Sequence, residues 1–463
     1  MTRKRAERVL VIGLDCATPQ FVFGPNRYEM PNLQALAARG CWGLLRSCHP
    51  PITVPAWASM MSSKDPGTLG YYGFRNRKDR SYDAMFTANS TAVKEKRVWD
   101  ILSRQGKKVV VLGVPQTYPV SPVNGWLVSG FLAPNTDSDF TYPKALKTEL
   151  REAVGEYIID VKDYRTDDKD RLIKQIHGML DNRFAYARYL MDSKPWDFFM
   201  MVEMGVDRLH HGLWQHIDPT HPKFVPGNPY ENVLRDYYRA VDNHIGELLT
   251  RVGDETAVFI VSDHGAKSMH GGICVNQWLI NEGLLTVRDK LDGRKRIEDC
   301  DIDWSRTKAW SSGGYYARLF LNVEGREPQG IIPADQYEAV RDEIVRKLEA
   351  MTDHEGKPLN TKAHKPEDLY RTVKGVAPDL IIYFGDLYWR SVGSVGFDSI
   401  YTFENDTGPD DANHDYNGIF VMDDRSGRAG QELQGLQLMD VAPTILDVLG
   451  VDVPADMQGK VIN

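Results

Sequence analysis

The chain has no run approaching the roughly 18 apolar residues that a membrane-spanning helix requires. Its first apolar stretch, Val9 to Leu14, is ended at once by Asp15. The opening MTRKRAERVLVIGLDC is basic, but that apolar core is too short for a secretory signal and reads instead as a first strand. Cysteine is scarce: Cys16, Cys41, Cys48, Cys274 and Cys300 make an odd number with no C-x-x-C pair. That argues against a thiolate metal clamp, and reduced thiols in a cytoplasmic protein are the expectation. There is no excess of positive charge, with 56 basic against 64 acidic residues and a net charge of −8. Coating or binding a nucleic-acid duplex therefore gains no support. Internal repeats and low-complexity segments are lacking too. What remains, 463 residues that are 42% hydrophobic and 26% charged, is ordinary globular composition, enough for one large core or two smaller ones.

Along the chain, apolar strands alternate with helices. RVLVIGLD (8–15), KVVVLGVP, DFFMMVEMG (197–205), TAVFIVSD and DLIIYF (379–384) read as buried-type strands. Helices are expected at PNLQALAARG (31–40), from WASMMSS after Pro55, at AVKEKRVWDILSRQG (92–106), over about 167–193, at DRLHHGLWQHI and YENVLRDYYRAVDNHIGELLTRVG, and finally at LMDVAPTILDVLG (438–450). In the first of these, Pro31 sits near the start and Gly40 at the stop. The alternation predicts an α/β fold with a mostly parallel central sheet and helices on both faces. From Leu284 to Val376 the rhythm breaks into a charged patch, a Tyr/Gly-rich strand pair within GGYYARLFLNVEGREPQG, and the helix ADQYEAVRDEIVRKLEAM. This segment reads as a smaller α+β cap. The organisation expected is a catalytic core over 1–283, the insertion at 284–376, and a return to the core at 377–463.

In an open parallel sheet, functional groups gather beyond the carboxyl ends of the strands. Four such places carry residues able to bind a metal. Asp15 closes the first strand, although alone it reads more readily as a cap on the next helix. Asp207 and His211 lie four apart in MVEMGVDRLHHGLWQH, so on a helix they share a face and can point at one ion. A solvated, histidine-rich helix is the equal alternative there, and His210 points elsewhere. Asp263 and His264 follow the apolar Ala257–Ile260 in VSDHGAKSMH, where burying an acid and an imidazole is costly unless positive charge lies between them. A metal, a solvated turn or a hydrogen-bonded pair would each answer, the last least well. Gly265 lets the backbone turn sharply so that the two neighbours can converge, while His270 reads as a polar loop residue. His414, in DDANHDYNGIF before the strand GIFVM, is a weak signal by itself. Nitrogen and oxygen ligands without thiolates suit zinc, with manganese or iron also compatible. Two ions about 4 Å apart suit phosphoryl transfer. Thr53 in PPITVPAWASMM stands where a helix begins, a natural seat for phosphate, though ordinary N-capping is the common use of such a hydroxyl.

Taken together, the chain resembles the alkaline phosphatase superfamily, in particular its type I phosphodiesterase/nucleotide pyrophosphatase branch. The resemblance rests on VLVIGLDCATP, PPITVPAWASMMSSKDPGTLGYYGF, DRLHHGLWQHIDPTHP, VSDHGAKSMHGGICVNQWL, NVEGREPQG, APDLIIYF, NHDYNGIFV and LMDVAPTILDVLGVDVPADMQGK, in that order over nearly the whole chain. It implies one divalent ion held by Asp15, Thr53, Asp263 and His264, and a second held by Asp207, His211 and the distant His414. It also implies a two-step displacement. Thr53 would attack phosphorus to form a phosphothreonine or phosphodiester-threonine, with one ion activating the hydroxyl and the other stabilising the leaving oxygen and then activating the water that frees the product.

Two departures stand out. Cys16 occupies the position where the branch usually has glycine. The segment GYYGFRNRKDRSYD lies where such enzymes often place a phosphate-oxygen donor, a role open to Asn76 or Arg75. Tyr71, Tyr72 and Phe74 can stack on a flat leaving group or simply pack at a domain rim. A sulfatase is disfavoured because Thr53-Val54-Pro55-Ala56-Trp57 has no C/S-x-P-x-R pattern. Phosphoglycerate mutases and alkaline phosphatases proper use serine, and the phosphoethanolamine transferases carry membrane helices. The expectation is a cytoplasmic two-metal hydrolase of phosphodiester or nucleotide pyrophosphate-type bonds. Its partner is a small-molecule phosphoester or nucleotide, with no membrane or nucleic-acid duplex and no oligomeric state assigned. A phosphomonoesterase acting on a small phosphorylated metabolite is the first alternative, and a metal-free, non-catalytic scaffold of the same fold the second.

Overall fold

The computed structural model describes residues 6–463; the basic opening, residues 1–5, lies outside them. Nine strands form the main sheet: β1 (Arg8–Leu14), β2 (Cys41–Arg46), β3 (Val109–Leu112), β4 (Gly125–Val128), β5 (Thr141–Tyr142), β6 (Phe198–Glu203), β7 (Thr256–Val261), β8 (Asn417–Asp423) and β9 (Gln431–Gln437). Their order is β9-β2-β8-β7-β1-β6-β3-β4-β5. β1 runs parallel to both its neighbours, with Ile12 beside Met201 of β6 and Ile260 of β7. β8 is antiparallel to β7 and β2, and β5 is antiparallel to β4. The other seven strands share one direction. β6 and β7 are buried along their whole length and β1 from Val9 onward. Their apolar residues are therefore continuous rather than alternating, as a sheet covered on both faces demands. The fold is α/β with a mostly parallel central sheet.

Local chemistry explains where the covering helices start and stop. Pro31–Arg39 opens on a proline, whose missing N–H has no intrahelical acceptor there, and closes at Gly40. Lys169–Ser193 is capped by the Asp168 carboxylate, which accepts from the Arg171 amide at 3.1 Å. The helix expected over 92–106 is only Val98–Arg104. The Asp100 carboxylate reaches back to the Arg97 amide at 2.9 Å and pins the start, so Lys94, Glu95 and Lys96 stay non-helical. The helix expected from Trp57, after Pro55, begins four residues earlier and spans Thr53–Ser62. Proline is tolerated there because first-turn amides have no acceptor to lose.

Leu380–Tyr383, read from its apolar run as a strand of the main sheet, belongs to a second, antiparallel sheet. It pairs with Ala317–Leu321 and Lys362–His364, and Ala309–Ser312 completes the four strands. Four apolar residues buried on both faces carry no periodicity that distinguishes one sheet from another. The hydrophobic cluster under this sheet draws on residues from Ile273 to Val395, including Ile344 and Leu348 of the helix Tyr337–Glu349. It therefore reaches beyond the 284–376 insertion on both sides. Among the described residues no helix is long and apolar enough to cross a membrane.

Because β7, β1 and β6 are parallel neighbours, their carboxyl ends emerge together. Asp15 follows β1, the helix Gly205–Ile217 follows β6, and Asp263 follows β7. That shared edge is where the candidate chemistry lies.

Candidate metal centre and active site

The geometry starts from glycine and tryptophan. A Cβ on Gly13, inside β1, would come within 2.5 Å of the Trp57 ring. Its absence lets the indole lie against the strand and donate from Nε1 to Asp15 Oδ2 at 2.6 Å. Trp57 is four residues after Thr53 in the helix Thr53–Ser62, so the two share a face. The N-cap of that helix is Ile52, with no side-chain cap. The Thr53 hydroxyl is thus not spent on capping and lies 3.3 Å from His264 Nε2. Nor does Asp15 cap the following helix Pro19–Val22, whose N-cap is Thr18.

Beyond Asp15 the chain reverses through Cys16, whose φ of 64° is left-handed. Glycine adopts that conformation without strain, whereas Cys16 holds it with a side chain. The Cys16 amide donates to Asp263 Oδ1 at 3.2 Å. Gly265 does not supply the sharp turn expected of it. It opens the short strand Gly265–Ser268, where a side chain would collide with the Asn417 carbonyl. That strand pairs antiparallel with Ala412–Asp415, setting Ala266 opposite His414. His414 is therefore held in a strand register rather than in a polar loop.

Two clusters result. Asp15, Asp263 and His264 form one, and Asp207, His211 and His414 the other, with ligand atoms in each lying within 4.8 Å of one another. In the first, His264 Nε2 lies 3.2 Å from Asp263 Oδ2 and 3.9 Å from Asp15 Oδ1. In the second, His211 Nε2 lies 3.3 Å from Asp207 Oδ1 and 3.1 Å from His414 Nε2. All six side chains are buried. Asp15 Oδ1, Asp207 Oδ1 and Asp263 Oδ2 have no hydrogen-bond partner. Each acid's other oxygen is engaged, by Trp57, Arg208 and the Cys16 amide respectively. Each imidazole turns Nδ1 outward, to Asp410 at 2.8 Å from His211, to the Gly265 carbonyl at 3.1 Å from His264, and to the Pro51 carbonyl at 2.8 Å from His414. That leaves three Nε2 atoms facing three orphaned oxygens, the arrangement in which outer partners orient metal-binding imidazoles. Nitrogen and oxygen donors without a thiolate fit divalent cations of the zinc, manganese or iron kind.

Electrostatics favours the same reading. Burial, reinforced by mutual repulsion among Asp15, Asp207 and Asp263, pushes Asp15 and Asp263 well above the usual carboxylate range. Burial opposes ionisation of Asp207 as well, but His211, Arg208 and His414 outweigh it and hold that acid well below the range. Burial lowers His264 to about 4 and also lowers His414, keeping their Nε2 lone pairs free of protons. His211 is raised because Asp410 and Asp207 outweigh its burial. Its Nδ1 faces Asp410 and its Nε2 faces Asp207, and on the Asp207 side a cation would serve as well as a proton. Burying three acids this close costs several kcal/mol unless positive charge compensates.

The second cluster opens into a cavity of about 320 Å³, lined by Thr53, Asp207, His211 and His414 together with Tyr315 and Phe74. Arg75, Arg165, Arg208 and Arg318 also line it. Asn76 does not. Its Oδ1 accepts from the Tyr72 amide at 2.7 Å and its Nδ2 donates to the Gly73 carbonyl at 2.8 Å, closing a turn. Tyr71 and Tyr72 are core residues whose hydroxyls donate to Gln116 and to the Lys374 carbonyl. His210 pairs with the Tyr238 hydroxyl at 3.3 Å, His270 stacks on Tyr388, and His216 contacts Gln215. None of these three histidines joins a cluster.

Trp57, Arg208 and Asp410 escaped sequence reasoning although each holds a cluster residue in place. Asp410 had a legible signal. It precedes His414 by four residues in an extended segment, where alternate residues share a face.

A family model described as type I phosphodiesterase/nucleotide pyrophosphatase matches residues 9–410, ending just before His414. Among solved structures, human ectonucleotide pyrophosphatase/phosphodiesterase 5 is 12% identical with 96% of each chain covered and a TM-score of 0.56. Phosphonoacetate hydrolase from Sinorhizobium meliloti 1021, in complex with phosphonoformate, is 13% identical with 97% of each chain covered and a TM-score of 0.62. An inactive threonine-to-alanine form of murine ectonucleotide pyrophosphatase/phosphodiesterase 5, in complex with AMP, is 12% identical with 97% of this chain and 96% of that chain covered and a TM-score of 0.56. At such identities the likeness is one of fold. No curated protein matches the chain by sequence.

Proposed function

From the premise that the chain belongs to the type I phosphodiesterase/nucleotide pyrophosphatase family, we propose that it is a two-metal phosphohydrolase acting on phosphodiester or nucleotide pyrophosphate-type bonds through a covalent Thr53 intermediate. The observation that carries this reading is the gathering of three orphaned carboxylate oxygens and three imidazoles into two adjoining clusters, with the Thr53 hydroxyl 3.3 Å from His264 Nε2 in one of them. Asp15, Thr53, Asp263 and His264 would hold one divalent cation, and Asp207, His211 and His414 the other. Zinc heads the compatible metals, with manganese and iron behind it. Bound there, the cations supply Lewis acidity and neutralise charge on phosphoryl oxygens.

The chain itself supplies position. Thr53 is the first residue of its helix, so the hydroxyl sits at the positive end of the helix dipole, beside first-turn amides that lack intrahelical acceptors. A phosphoryl group placed there meets both the nucleophile and hydrogen-bond donors. The bond from Thr53 Oγ1 to phosphorus forms as the bond to the leaving oxygen breaks. Water then attacks the phosphothreonine and returns the hydroxyl. The murine protein of this fold, inactive with alanine in place of one threonine, supports a threonine in this role. Arg208 and Arg165, fixed by Asp160, Asp207 and Asp410, would orient the non-bridging phosphoryl oxygens.

The arginine-rich lining favours one second reading, a phosphomonoesterase, because a monoester dianion carries more charge than a diester. Rates on bis(p-nitrophenyl) phosphate and p-nitrophenyl phosphate, with zinc or manganese supplied, separate the two. The diester is expected to be faster. A clear monoester preference overturns the leading reading, and no turnover of either with full metal content overturns both.

A further inference from the structure

Of the four arginines lining the 320 Å³ cavity, two are neutralised and two are not. Arg208 lies 2.6 Å from Asp207 and 2.7 Å from Asp160, and Arg165 lies 3.0 Å from Asp410. Arg318 and Arg75 form no ion pair among the described residues. For Arg75, at the cavity mouth, that is unremarkable, because its side chain is exposed. For Arg318 it is not, because the residue is only 8% exposed. Among the described residues its one side-chain hydrogen bond is donated from Nη1 to the Arg75 carbonyl. Burial lowers its pKa, Tyr316 raises it and Arg75 lowers it, and no carboxylate is among the groups acting on it. A buried guanidinium without a carboxylate is costly unless an anion arrives to compensate.

Its position says where that anion would be. Arg318, Arg75 and Gly313 line the metal-facing cavity and also an adjoining chamber of about 590 Å³. The two spaces therefore meet at this arginine pair. The far chamber carries Trp304, Trp310, Phe320 and Tyr82, with Ser311 and Ser312 among its polar residues and the exposed acids Asp83 and Glu298 also lining it. Arg77, the other buried cation of that chamber, is already matched to Glu327 at 3.4 Å. The backbone holds Arg318 rigidly. Its strand Ala317–Leu321 is paired on both sides, with Ser312 and with Ile381 opposite residue 318.

We propose that Arg318 and Arg75 form a second anion subsite, which binds a phosphate or carboxylate in the leaving portion of the substrate and directs the remainder into the aromatic chamber. The inference rests on the phosphohydrolase reading, which places the scissile phosphoryl group at Thr53 and the two clusters. It goes beyond that reading by naming what the leaving group carries: a second negative charge, followed by an apolar or aromatic body. A guanidinium fork suits either oxyanion bidentately, so the shared chemistry is that of a planar or tetrahedral oxyanion.

Calorimetric titration of the full-length, metal-loaded protein tests the subsite without relying on turnover. Three non-hydrolysable probes are compared: methylphosphonate with no second anion, methylenediphosphonate with a second phosphorus, and 3-phosphonopropionate with a carboxylate. At least one of the two-anion probes should bind the wild-type chain about tenfold or more tightly than methylphosphonate. The larger gain identifies phosphate or carboxylate as the preferred group. Arg318→Met and Arg75→Met should each cut that ratio severalfold. Arg75 is exposed, so its variant keeps the test decisive even if Arg318→Met fails to fold. An unchanged ratio in the Arg75 variant, or in an Arg318 variant that folds, overturns the subsite, including the case where a diphosphonate wins merely by gripping metal. A chain that hydrolyses no phosphoester yet keeps an arginine-dependent ratio overturns the hydrolase reading and leaves the subsite standing.

Discussion

The imidazoles of His264 and His414 stack with ring centroids 4.0 Å apart and planes 20° from parallel, although each belongs to a different cluster. Two imidazolium rings would repel in that arrangement, and burial lowers the pKa of both. Stacked as neutral bases, they avoid that repulsion. This contact joins the two clusters into one centre, and it depends on the antiparallel pairing of Gly265–Ser268 with Ala412–Asp415.

Replacing His414 tests that junction. His414→Ala should lower bound divalent metal from about two ions per chain to about one and reduce phosphoesterase turnover by at least about 10³-fold. His216→Ala, in the last turn of the helix Gly205–Ile217 and outside both clusters, should keep both ions. Elemental analysis of purified protein gives the count. Two ions retained by the His414 variant would remove that residue from the centre.

Thr53→Ala should lower turnover by at least about 10³-fold, because it removes the hydroxyl that lies 3.3 Å from His264 Nε2. Thr53→Ser, which keeps the oxygen, should retain a measurable fraction. Acid-quenched protein incubated with substrate should carry covalent phosphate on residue 53 in the wild type and none in the alanine variant, as read by mass spectrometry. Phosphate on a different residue would redirect the mechanism.

Asp410 acts through another side chain. It accepts from His211 Nδ1 at 2.8 Å and is held well below the carboxylate range, burial being outweighed by His211 and Arg165. Asp410→Asn should weaken metal affinity about 10- to 100-fold, and added metal should restore activity. Rescue by metal distinguishes this positioning role from a merely structural one.

Much of this site was legible in the sequence, and the exceptions have physical causes. Strand ends announce themselves through apolar runs closed by an acid, which is how Asp15 and Asp263 stand out. Helical spacing pairs Asp207 with His211. His414 was weak by spacing because its partner is the strand Gly265–Ser268, a long-range pairing that no local periodicity reports. Asn76 misled because a side-chain amide near a phosphate-binding segment can as easily close its own turn. The strand Leu380–Tyr383 went to the wrong sheet because a short buried run names its secondary structure and not its neighbours.

Stability should fall as the solution is acidified from pH 7 to pH 5. Burial, with Arg46, His364 and Lys362 nearby, lowers His49 from 6.5 to about 4. Between those values the unfolded chain binds a proton that the folded chain refuses. The stability is therefore complete above pH 6.5 and is lost as pH falls toward 4. By pH 5 the loss from this residue is at most about 2 kcal/mol. His49→Gln should remove that part of the slope in urea titrations at the two pH values. An identical slope in the variant would show that His49 is not the group responsible.

Metal removal should act through the crowded carboxylates, and its signature is a pair of effects with opposite signs. Exhaustively chelated protein should unfold more readily, and zinc or manganese at about 100 times its dissociation constant should restore about 3 kcal/mol, because only the folded chain assembles the site. Asp263→Asn removes one of three mutually repelling acids that the stripped chain must bury. The stripped variant should therefore melt at or above the stripped wild type, while losing most of the stabilisation that metal confers. A residue serving only as a structural hydrogen-bond partner would behave differently. Its loss would lower both melting temperatures together, and that outcome would take Asp263 out of the ligand set.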